Sequence, residues 1–439
     1  MDVFVIRGGT PLSGTFTVNG SKNAALPLMA ASLLTDEPLT LQDVPELADT
    51  RNMRKLLAEL GVESETGDDS TRFSSDPTGP CHARYDIVRT MRASVCVLGP
   101  LLARRGEARI SMPGGCALGE RPIDLHLRGL RALGAEIDLE SGDIIARAPA
   151  GRLRGATLFL GGQFGSTVLG TANVMSAACL AEGRTIIESA ACEPEIVDLA
   201  KLLTAMGARI EGAGSPRITI EGVERLGGTT HRVIPDRIEA GTAVCAAAVV
   251  PDSEVRIVNY PADALMAFAD RAAEAGIDID ITDGTDPMRT KCVVRRRGLL
   301  KPVTVTTQPH PGYPTDLQAQ LMATLCLAEG HSVVTERIFP ERFMHVPELG
   351  RMGASISRQG PTAVITGVKN LVGAPVMASD LRASACLVIA GLAAKGETTV
   401  NRVYHLDRGY QTLEARLLAM GADIERRDDK TAPVKIGAA

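Results

Sequence analysis

The feature that most limits how this chain can fold is a short sequence phrase repeated six times. In each copy a glycine stands between two apolar residues, and successive glycines lie roughly 70 residues apart along the chain. An amphipathic helical pattern precedes each glycine, and an alternating strand pattern follows it. Glycine suits the left-handed geometry that ends many helices. The phrase therefore predicts six repeated units, marked by Gly61, Gly134, Gly207, Gly276, Gly353 and Gly421.

Each predicted unit also contains a second helix, which is rich in alanine, glycine and other small residues. These helices are apolar on nearly every face, a pattern typical of helices that are buried all round. Each is followed by a strand pattern, so a unit alternates helix, strand, helix and strand, with a further strand pair. We expect these helices to lie inside the fold, over residues 24–34, 93–102, 172–183, 241–250, 317–330 and 383–396.

The length of the chain favours two lobes. A chain of 439 residues is too long for one compact core, and six units divide most simply into two groups of three. The sixth unit ends soon after Gly421 and lacks some strands, which the strand patterns near the N-terminus could supply. We therefore expect residues 1–20 to complete it. The predicted lobes are residues 1–20 with 235–439, and residues 21–234.

Composition excludes several classes of function. Aromatic residues make up 3% of the chain, tryptophan is absent and the formal net charge is −5. Such a chain lacks the aromatic platforms and basic groove that single-stranded nucleic acids need. The N-terminal apolar run is too short for a signal peptide, and no segment reaches membrane-spanning length. We expect a cytoplasmic protein that binds neither nucleic acid nor membrane, with its oligomeric state left open.

The nine cysteines are expected to be free thiols. Most lie in apolar helical runs, where cysteine is a small buried side chain. No CxxC pair and no Cys/His cluster has the spacing of a zinc site. The cysteine spacing therefore predicts no zinc site, and we expect neither another metal nor a cofactor.

Cys116 differs from the other cysteines because it lies in a glycine-rich segment, PGGCALGERPID over residues 113–124. Two adjacent glycines permit sharp bends, and Arg121 places a cation near the thiol. This pattern favours a mobile functional loop, which we place at residues 112–122. The alternative is an ordinary surface turn with an incidental cysteine.

Polar and charged residues mark the starts of the predicted buried helices. Helix N-termini favour anions by roughly 0.3–1 kcal/mol, so basic side chains there are locally unfavourable. A shared anionic ligand would explain them, and the alternative is that they are solvated caps and surface charges. The residues concerned are Lys22, Asn23, Arg92, Ser166, Thr167, Arg237, Asp316, Asp380 and Arg382.

Several motifs together resemble the UDP-N-acetylglucosamine enolpyruvyl transferase family, part of the EPSP synthase superfamily, over essentially the whole chain. The resemblance implies an α/β fold, a two-lobed inside-out α/β barrel of six repeated units with three per lobe. It places the active site in the interdomain cleft. The motifs lie at residues 20–27, 90–94, 113–126, 193–198, 313–320, 342–349, 380–384 and 405–410.

The resemblance also implies a reaction. Members of the family transfer the enolpyruvyl group of phosphoenolpyruvate to the 3-hydroxyl of UDP-N-acetylglucosamine and release phosphate, the first committed step of peptidoglycan synthesis. Addition gives a tetrahedral ketal, and elimination follows. The chemistry needs an acid for the enol carbon, a base for the hydroxyl, and cations for the phosphate and carboxylate. By resemblance Cys116 is the acid and Asp316 the base, and the catalytic set is Cys116, Asp316, Lys22 and Arg408.

The substrate-binding residues also follow from the resemblance. Because Arg121 serves both substrates and shares its loop with Cys116, we expect UDP-sugar binding to bring the loop down over the site. The thiol also implies inactivation by the alkylating inhibitor fosfomycin. The residues implied for phosphoenolpyruvate are Lys22, Asn23, Arg121, Arg382 and Arg408. Those implied for the UDP-sugar are Asn23, Arg92, Arg121, Pro122, Ile123, Asp124, Leu125, Asp316 and Ile338.

Three other hypotheses remain open. The sister enolpyruvyl transferase of the shikimate pathway shares the architecture but lacks the thiol loop. A non-catalytic relative that only binds the UDP-sugar would have no need of Cys116, Asp316, Lys22 and Arg408. A purely structural repeat protein would rarely place charges at every buried helix start. Nucleotide contacts around residues 162–167 are also open, because this turn is one residue shorter than the family pattern.

Overall fold

The computed structural model of the protein describes residues 2–112, 123–149 and 151–428. Within these ranges the α-helices are α1 (Lys22–Ala30), α2 (Ala48–Glu59), α3 (Tyr85–Val88), α4 (Leu98–Arg105), α5 (Asp124–Ala132), α6 (Val168–Ala178), α7 (Pro194–Ala205), α8 (Arg237–Val249), α9 (Met266–Glu274), α10 (Gln318–Leu325), α11 (Val346–Arg351), α12 (Leu381–Ala393) and α13 (Leu413–Ala419). Short 3₁₀ helices form at Ala31–Leu34, Arg92–Val97, Ala262–Leu265, Thr315–Leu317 and Val403–Arg408.

The strands, numbered in chain order, are β1 (Asp2–Arg7), β2 (Ser13–Thr17), β3 (Leu39–Gln42), β4 (Val62–Thr66), β5 (Ser70–Ser75), β6 (His82–Ala83), β7 (Glu107–Ser111), β8 (Glu136–Glu140), β9 (Asp143–Arg147), β10 (Thr157–Phe159), β11 (Arg184–Glu188), β12 (Arg209–Glu211), β13 (Arg217–Glu221), β14 (Thr229–Arg232), β15 (Glu254–Tyr260), β16 (Ile277–Asp283), β17 (Thr290–Arg296), β18 (Thr304–Thr306), β19 (His331–Thr335), β20 (Ser355–Gln359), β21 (Thr362–Thr366), β22 (Pro375–Met377), β23 (Glu397–Asn401) and β24 (Asp423–Asp428).

The strands form six four-stranded sheets that share one topology. In every sheet an edge strand runs parallel to its neighbour, and the remaining two pairings are antiparallel. The strand orders are β14-β3-β5-β4, β6-β7-β9-β8, β10-β11-β13-β12, β2-β15-β17-β16, β18-β19-β21-β20 and β22-β23-β1-β24. The same arrangement in six places confirms the six repeated units.

The phrase glycines occupy equivalent positions in the six units. Each follows an amphipathic helix and precedes an edge strand, as Gly61 does between α2 and β4. Their φ angles lie between 78° and 108°, in the left-handed region where a side chain is strained. The helix-ending role predicted for these glycines is therefore confirmed.

The chain divides into two compact units, each with its own hydrophobic core. Unit 1 contains the N-terminal stretch up to Val18, Arg237–Gln308, and the described chain from Gly312 onward. Unit 2 contains the described part of Asn19–Asp236, together with Pro309–Pro311. Three of the six sheets belong to each unit.

The inner helices are α8, α10 and α12 in unit 1 and α1, α4 and α6 in unit 2. Every residue of α8 after Arg237 is buried, as predicted from its small apolar side chains. Small residues let the helices approach closely, since a Cβ added to Gly99 would lie 2.2 Å from the carbonyl oxygen of Asn173 in α6. The longest helices, α8 and α12, have 13 residues, and no helix of the described chain is suited to crossing a membrane.

One predicted helix, over residues 93–102, forms differently from expectation. The structure has a 3₁₀ helix at Arg92–Val97, and α4 begins only at Leu98. Pro100 gives the physical reason. Proline lacks the N–H that an α-helical bond to Cys96 would require, and its ring would crowd that carbonyl. Proline is tolerated in the first turn of a helix, which is where α4 holds it.

The N-terminal strands do not both complete the sixth unit as predicted. β1 lies between β23 and β24 and pairs antiparallel with each, which confirms its part of the prediction. β2 instead runs parallel to β15 and completes the sheet of the fourth unit. Its side chain Phe16 is buried in the unit 1 core, where the edge of β15 offers backbone partners from Glu254 to Val258.

The two segments that carry the chain into and out of unit 2 run side by side. Gly20 and Pro235 form an antiparallel bridge, and the N–H of Asp236 donates to the carbonyl oxygen of Asn19 at 2.8 Å. The first inner helix begins two residues after Gly20. Its first residue, Lys22, is thereby fixed beside Asp236.

Candidate active site

Lys22 is held at the start of α1 by two carboxylates of unit 2. Ser21 caps the helix by accepting from the N–H of Ala24. The backbone N–H of Lys22 donates to Asp236 Oδ2 at 3.2 Å, and its ammonium Nζ lies 3.3 Å from Asp49 Oδ2. The Lys22 and Asp49 side chains are 11% and 4% exposed, so this is a buried ion pair. Protein carboxylates thus provide part of the anionic partner that the sequence argument required.

The other predicted binding residues of unit 2 that the structure describes lie at helix starts. Asn23 follows Lys22 in the first turn of α1 and is half-buried, and half-buried Arg92 begins the 3₁₀ helix Arg92–Val97. At the start of α5, Ile123 is buried, Asp124 is exposed and Leu125 is half-buried. Three predicted residues, Cys116, Arg121 and Pro122, lie outside the described residues, as does most of the predicted loop.

His126 lies in the first turn of α5 and connects this site to the core of unit 2. The Asn173 amide group donates to His126 Nδ1 at 2.9 Å and to the carbonyl oxygen of Val95 at 2.7 Å. Its oxygen accepts from the N–H of Gly99 at 2.8 Å. Burial, helped by the positive charge of Arg92, lowers the pKa of His126 to about 4. The imidazole is therefore neutral at pH 7, and its Nδ1 is a hydrogen-bond acceptor.

We expect this buried histidine to make unit 2 sensitive to acid. The unfolded chain takes up a proton near pH 6.5, whereas folded His126 takes it up only near its pKa of about 4. The contribution of neutral His126 to the free energy of unfolding is therefore full above about pH 6.5. It falls by roughly 3 kcal/mol as the pH drops towards 4. Thermal unfolding measured from pH 4 to 8 should show a shallower pH dependence for His126→Gln than for wild type. The same substitution at the exposed His331 is the control. Equal slopes of melting temperature against pH for His126→Gln and wild type would contradict the assignment.

Two buried arginines of unit 1 bind Asp316. It lies in the 3₁₀ helix Thr315–Leu317 that leads into α10. Arg342 Nη1 donates to its Oδ1 at 2.7 Å, and Arg382 Nη2 donates to its Oδ2 at 2.9 Å. The arginine side chains are 6% and 3% exposed, whereas Asp316 is 25% exposed. Two cations therefore favour the ionised carboxylate, while solvent still reaches it.

Glu336 holds the backbone around Asp316 in place. It is fully buried just after β19 and accepts from the hydroxyls of Thr307 at 2.7 Å and Thr315 at 2.8 Å. It also accepts from the backbone N–H groups of Ile338 at 2.8 Å and Phe339 at 2.9 Å. Arg342 Nη1 in turn donates to Thr315 Oγ1 at 3.0 Å. A single carboxylate thus fixes both the turn that carries Asp316 and the segment that carries Ile338.

The remaining predicted residues of unit 1 lie on three segments of the chain. Arg382 is the second residue of α12, whose N-cap Asp380 accepts from the N–H groups of Arg382 and Ala383. Arg408 is half-buried and ends the 3₁₀ helix Val403–Arg408. The half-buried Ile338 is fixed through Glu336. Among the predicted site residues of unit 1, the structure therefore brings Asp316 and Arg382 into direct contact.

The described thiols are poor candidates for proton transfer. Eight cysteines are free within the described ranges, and six of them are buried. Burial raises the pKa of Cys96, Cys179, Cys245 and Cys326 to about 12, so these groups stay protonated and inert. In the same ranges, no group of three or more His, Cys, Asp or Glu side chains is arranged to hold a metal ion.

Sequence reasoning missed the partners of the predicted groups. Arg342 begins a motif used for the resemblance but received no role, and Asp49, Asp236 and Glu336 were not singled out. The sequence offered one signal for Arg342, which stands beside the apolar residues Phe343 and Met344, where a charged side chain needs a partner if it is buried. Asp49 lies in the first turn of α2, where an acidic residue also suits the helix.

Comparison with known proteins decides the family. A family model described as EPSP synthase (3-phosphoshikimate 1-carboxyvinyltransferase) matches residues 6–417, nearly the whole chain. The chain belongs to the EPSP synthase family. Within this family it is 55% identical over 428 residues to the UDP-N-acetylglucosamine 1-carboxyvinyltransferase of Gluconacetobacter diazotrophicus, covering 97% of this chain and 99% of the relative. The enzymes of the same name from Cereibacter sphaeroides (strain ATCC 17029 / ATH 2.4.9) and Rhodospirillum centenum are 54% and 52% identical, with the same coverage. The resemblance inferred from the sequence is confirmed.

Solved structures of the family share the fold. The enolpyruvyl transferase NikO from Streptomyces tendae superposes with a TM-score of 0.87 at 24% identity, over 97% of this chain and 98% of that one. An EPSP synthase from Acinetobacter baumannii gives a TM-score of 0.77 at 18% identity, over 98% and 100% of the two chains. At these identities the likeness concerns the fold. The predicted two-lobed α/β fold of six repeated units is confirmed.

Proposed function

We propose that this chain is an enzyme that transfers the enolpyruvyl group of phosphoenolpyruvate to the 3-hydroxyl of UDP-N-acetylglucosamine and releases phosphate. The observation that carries the proposal is the 52–55% identity, over 97% of the chain, to relatives named UDP-N-acetylglucosamine 1-carboxyvinyltransferase. The role that follows is the first committed step of peptidoglycan synthesis. No cofactor or metal is part of the proposal.

The reaction makes and breaks bonds at two carbons of phosphoenolpyruvate. In the addition step the sugar oxygen bonds to carbon 2, the hydroxyl proton passes to a base, and carbon 3 gains a proton from an acid. The product is a tetrahedral ketal that still carries phosphate. In the elimination step the bond from carbon 2 to the phosphate oxygen breaks and carbon 3 loses a proton. The enzyme must therefore supply a base, an acid and cations for two anionic groups.

Asp316 is proposed as the base for the sugar hydroxyl. Arg342 and Arg382 each occupy one carboxylate oxygen, and they favour the ionised form that can take a proton. Each oxygen has a second lone pair, so the carboxylate can accept from a substrate hydroxyl while both arginines stay bound. Its partial exposure leaves a route for that hydroxyl.

The phosphate and carboxylate of phosphoenolpyruvate are proposed to bind basic side chains. Lys22, Arg121, Arg382 and Arg408 are assigned to these anions, with Asn23 as a neutral donor. Arginine suits the task because its planar fork can donate two parallel hydrogen bonds to an oxyanion. In the described structure Lys22 contacts Asp49 and Arg382 contacts Asp316, so both cations are partly neutralised before the substrate anions bind. These assignments rest on the family resemblance and, for Lys22, Asn23 and Arg382, also on their placement at helix starts.

Cys116 is proposed as the acid that protonates carbon 3. A thiol with an ordinary pKa near 8.5 is mostly protonated at pH 7 and can donate. The UDP-sugar is assigned to nine residues on the strength of the family resemblance. These are Asn23, Arg92, Arg121, Pro122, Ile123, Asp124, Leu125, Asp316 and Ile338.

The proposal is tested by phosphate release with two alternative acceptors. The purified chain is incubated with phosphoenolpyruvate and either UDP-N-acetylglucosamine or shikimate 3-phosphate. We expect acceptor-dependent phosphate release with the UDP-sugar alone. Release with shikimate 3-phosphate alone would instead assign the chain to the sister reaction that the family model names. Ligand binding without phosphate release would indicate a non-catalytic relative.

Fosfomycin sensitivity is a separate prediction for Cys116. The inhibitor alkylates a reactive thiol, so saturating fosfomycin should abolish wild-type phosphate release. Cys116→Asp keeps a proton-carrying group but has no sulfur, and it should retain turnover and resist the inhibitor. Cys192→Asp is the control and should remain as sensitive to the inhibitor as wild type. That thiol is half-buried and lies outside the proposed site. Full wild-type activity under saturating fosfomycin would contradict the assignment of Cys116.

The proposed location is the cytoplasm. Phosphoenolpyruvate and nucleotide sugars are made there, and the eight free thiols of the described chain suit a reducing compartment.

A further inference from the structure

Behind Asp316, a polar cluster lies in the core of unit 1. Its centre is the hydroxyl of Tyr410, a side chain that is 1% exposed. This oxygen lies 2.9 Å from Thr242 Oγ1, 3.3 Å from Gln320 Nε2 and 3.2 Å from Arg382 Nη1. We call Tyr410, Thr242, Gln320 and Arg382 the Tyr410 cluster. Thr242, Gln320 and Arg382 lie on α8, α10 and α12, so each inner helix of unit 1 contributes one partner.

Counting protons fixes the direction of the hydrogen bonds. The Thr242 hydroxyl has one proton and donates it to the carbonyl oxygen of Ile238 at 2.8 Å. It must therefore accept from Tyr410, and it also accepts from Gln320 Nε2 at 3.2 Å. The Tyr410 hydroxyl then donates to Thr242 and uses its two lone pairs to accept from Gln320 and Arg382. The hydroxyl oxygen of Tyr410 is thus fixed as an acceptor for the arginine.

Arg382 connects this cluster to Asp316. One end of its guanidinium, Nη1, donates to Tyr410, and the other end, Nη2, donates to Asp316 Oδ2 at 2.9 Å. The guanidinium carbon also lies 5.6 Å from the centre of the Tyr410 ring. Because the guanidinium is planar and rigid, fixing one end fixes the direction in which the other end donates.

We propose that the Tyr410 hydroxyl is a positioning group, which orients Arg382 and through it the Asp316 carboxylate for proton transfer from the sugar hydroxyl. The inference rests on the proposed function, because it takes Asp316 as the base. Among the described residues of unit 1, further charged side chains are linked to Asp316 or to its partner Arg382. Arg342 contacts Asp316 directly, Glu336 acts through Thr315, and Asp380 caps α12 beside Arg382. Replacing the Tyr410 hydroxyl leaves all three in place.

Tyr410→Phe removes the hydroxyl and keeps the ring against Arg382. We expect kcat for phosphate release to fall by about tenfold, the scale of one hydrogen bond to a charged group, with the KM for the UDP-sugar within twofold of wild type. We also expect the acid side of the pH–activity profile to move to higher pH. A loosened Arg382 supports the ionised carboxylate less, so activity is lost earlier on acidification.

Two further variants complete the experiment. Tyr260→Phe is the matched control in unit 1, since Tyr260 is equally buried and its hydroxyl has no hydrogen-bond partner in the described structure. It should leave kcat and the pH profile unchanged. Thr242→Val keeps the side-chain shape and removes the group that accepts from Tyr410. It should lower kcat and shift the acid side in the same direction as Tyr410→Phe, and it serves as the test if Tyr410→Phe does not fold.

The outcomes separate this inference from the proposed function. If the wild type is active and the folded variants have its kcat and pH profile, the positioning role is overturned. A lower melting temperature with an unmoved acid side overturns it as well, because that result indicates a purely structural hydroxyl. If the wild type releases no phosphate with UDP-N-acetylglucosamine, the proposed function fails first and the inference fails with it.

Discussion

Replacing Asp316 with asparagine is expected to lower kcat for phosphate release by about 10²–10⁴-fold, the usual contribution of a general base. Asparagine has the same shape, so the turn Thr315–Leu317 keeps its backbone, although the amide nitrogen cannot accept from the arginine that faces it. Its amide oxygen cannot take the proton of the sugar hydroxyl, and the ionised partner of Arg342 and Arg382 is lost. Phosphate release is measured at saturating concentrations of both substrates.

The control for this experiment is Asp283→Asn in the same unit. Asp283 forms an exposed ion pair with Lys291 at 3.1 Å, and its loss should leave kcat unchanged. Calorimetric binding of the UDP-sugar should persist in Asp316→Asn, which separates chemistry from binding. Wild-type turnover in Asp316→Asn would show that Asp316 is not the base. The function assigned to Arg342 and Arg382, which is to favour its ionised form, would then fail as well.

Replacing Glu336 with alanine is expected to destabilise unit 1 by roughly 3 kcal/mol. The change leaves the hydroxyls of Thr307 and Thr315 and two backbone N–H groups without the buried carboxylate that they share. For a unit of this size the melting temperature should fall by roughly 6–12 °C, as measured by calorimetry. Activity should also fall, because the turn that carries Asp316 is no longer fixed.

Glu336→Gln is the matched variant. Its amide oxygen can still accept from Thr307 and from both backbone N–H groups, and its amide nitrogen can donate to Thr315. We therefore expect most of the stability to return, with a melting temperature much closer to wild type than that of the alanine variant. Equal stability of the alanine variant and wild type would show that Glu336 does not hold this region together.

The six-unit fold could be predicted because its signals are local. A left-handed glycine after an amphipathic helix is required by backbone geometry at each repeat, and helices such as α8 are apolar on nearly every face. The strand β2 was misplaced because two sheets offered an edge to the N-terminal strands. Pairing between strands more than two hundred residues apart leaves no signal in one sequence.

The site was only partly predictable for the same reason. Lys22 and Arg382 stand out because cations at helix starts are locally unfavourable, so a nearby anion could be anticipated. The sequence does not identify this anion, because the partners Asp49 and Asp316 come from other elements of the fold. The proposed role of Tyr410 could not be predicted from the sequence, because it depends on three helices from three repeats that meet at its hydroxyl oxygen.

The most direct test of the central claim is the reaction run in D₂O with phosphoenolpyruvate and UDP-N-acetylglucosamine. Addition places a solvent deuteron on carbon 3 and creates a methyl group, and elimination then removes one of its three hydrogens. We expect an enolpyruvyl UDP-sugar with deuterium in its vinyl CH₂ group, detected by proton NMR and mass spectrometry. A product whose vinyl group keeps both original hydrogens, or the absence of any enolpyruvyl UDP-sugar, would contradict it.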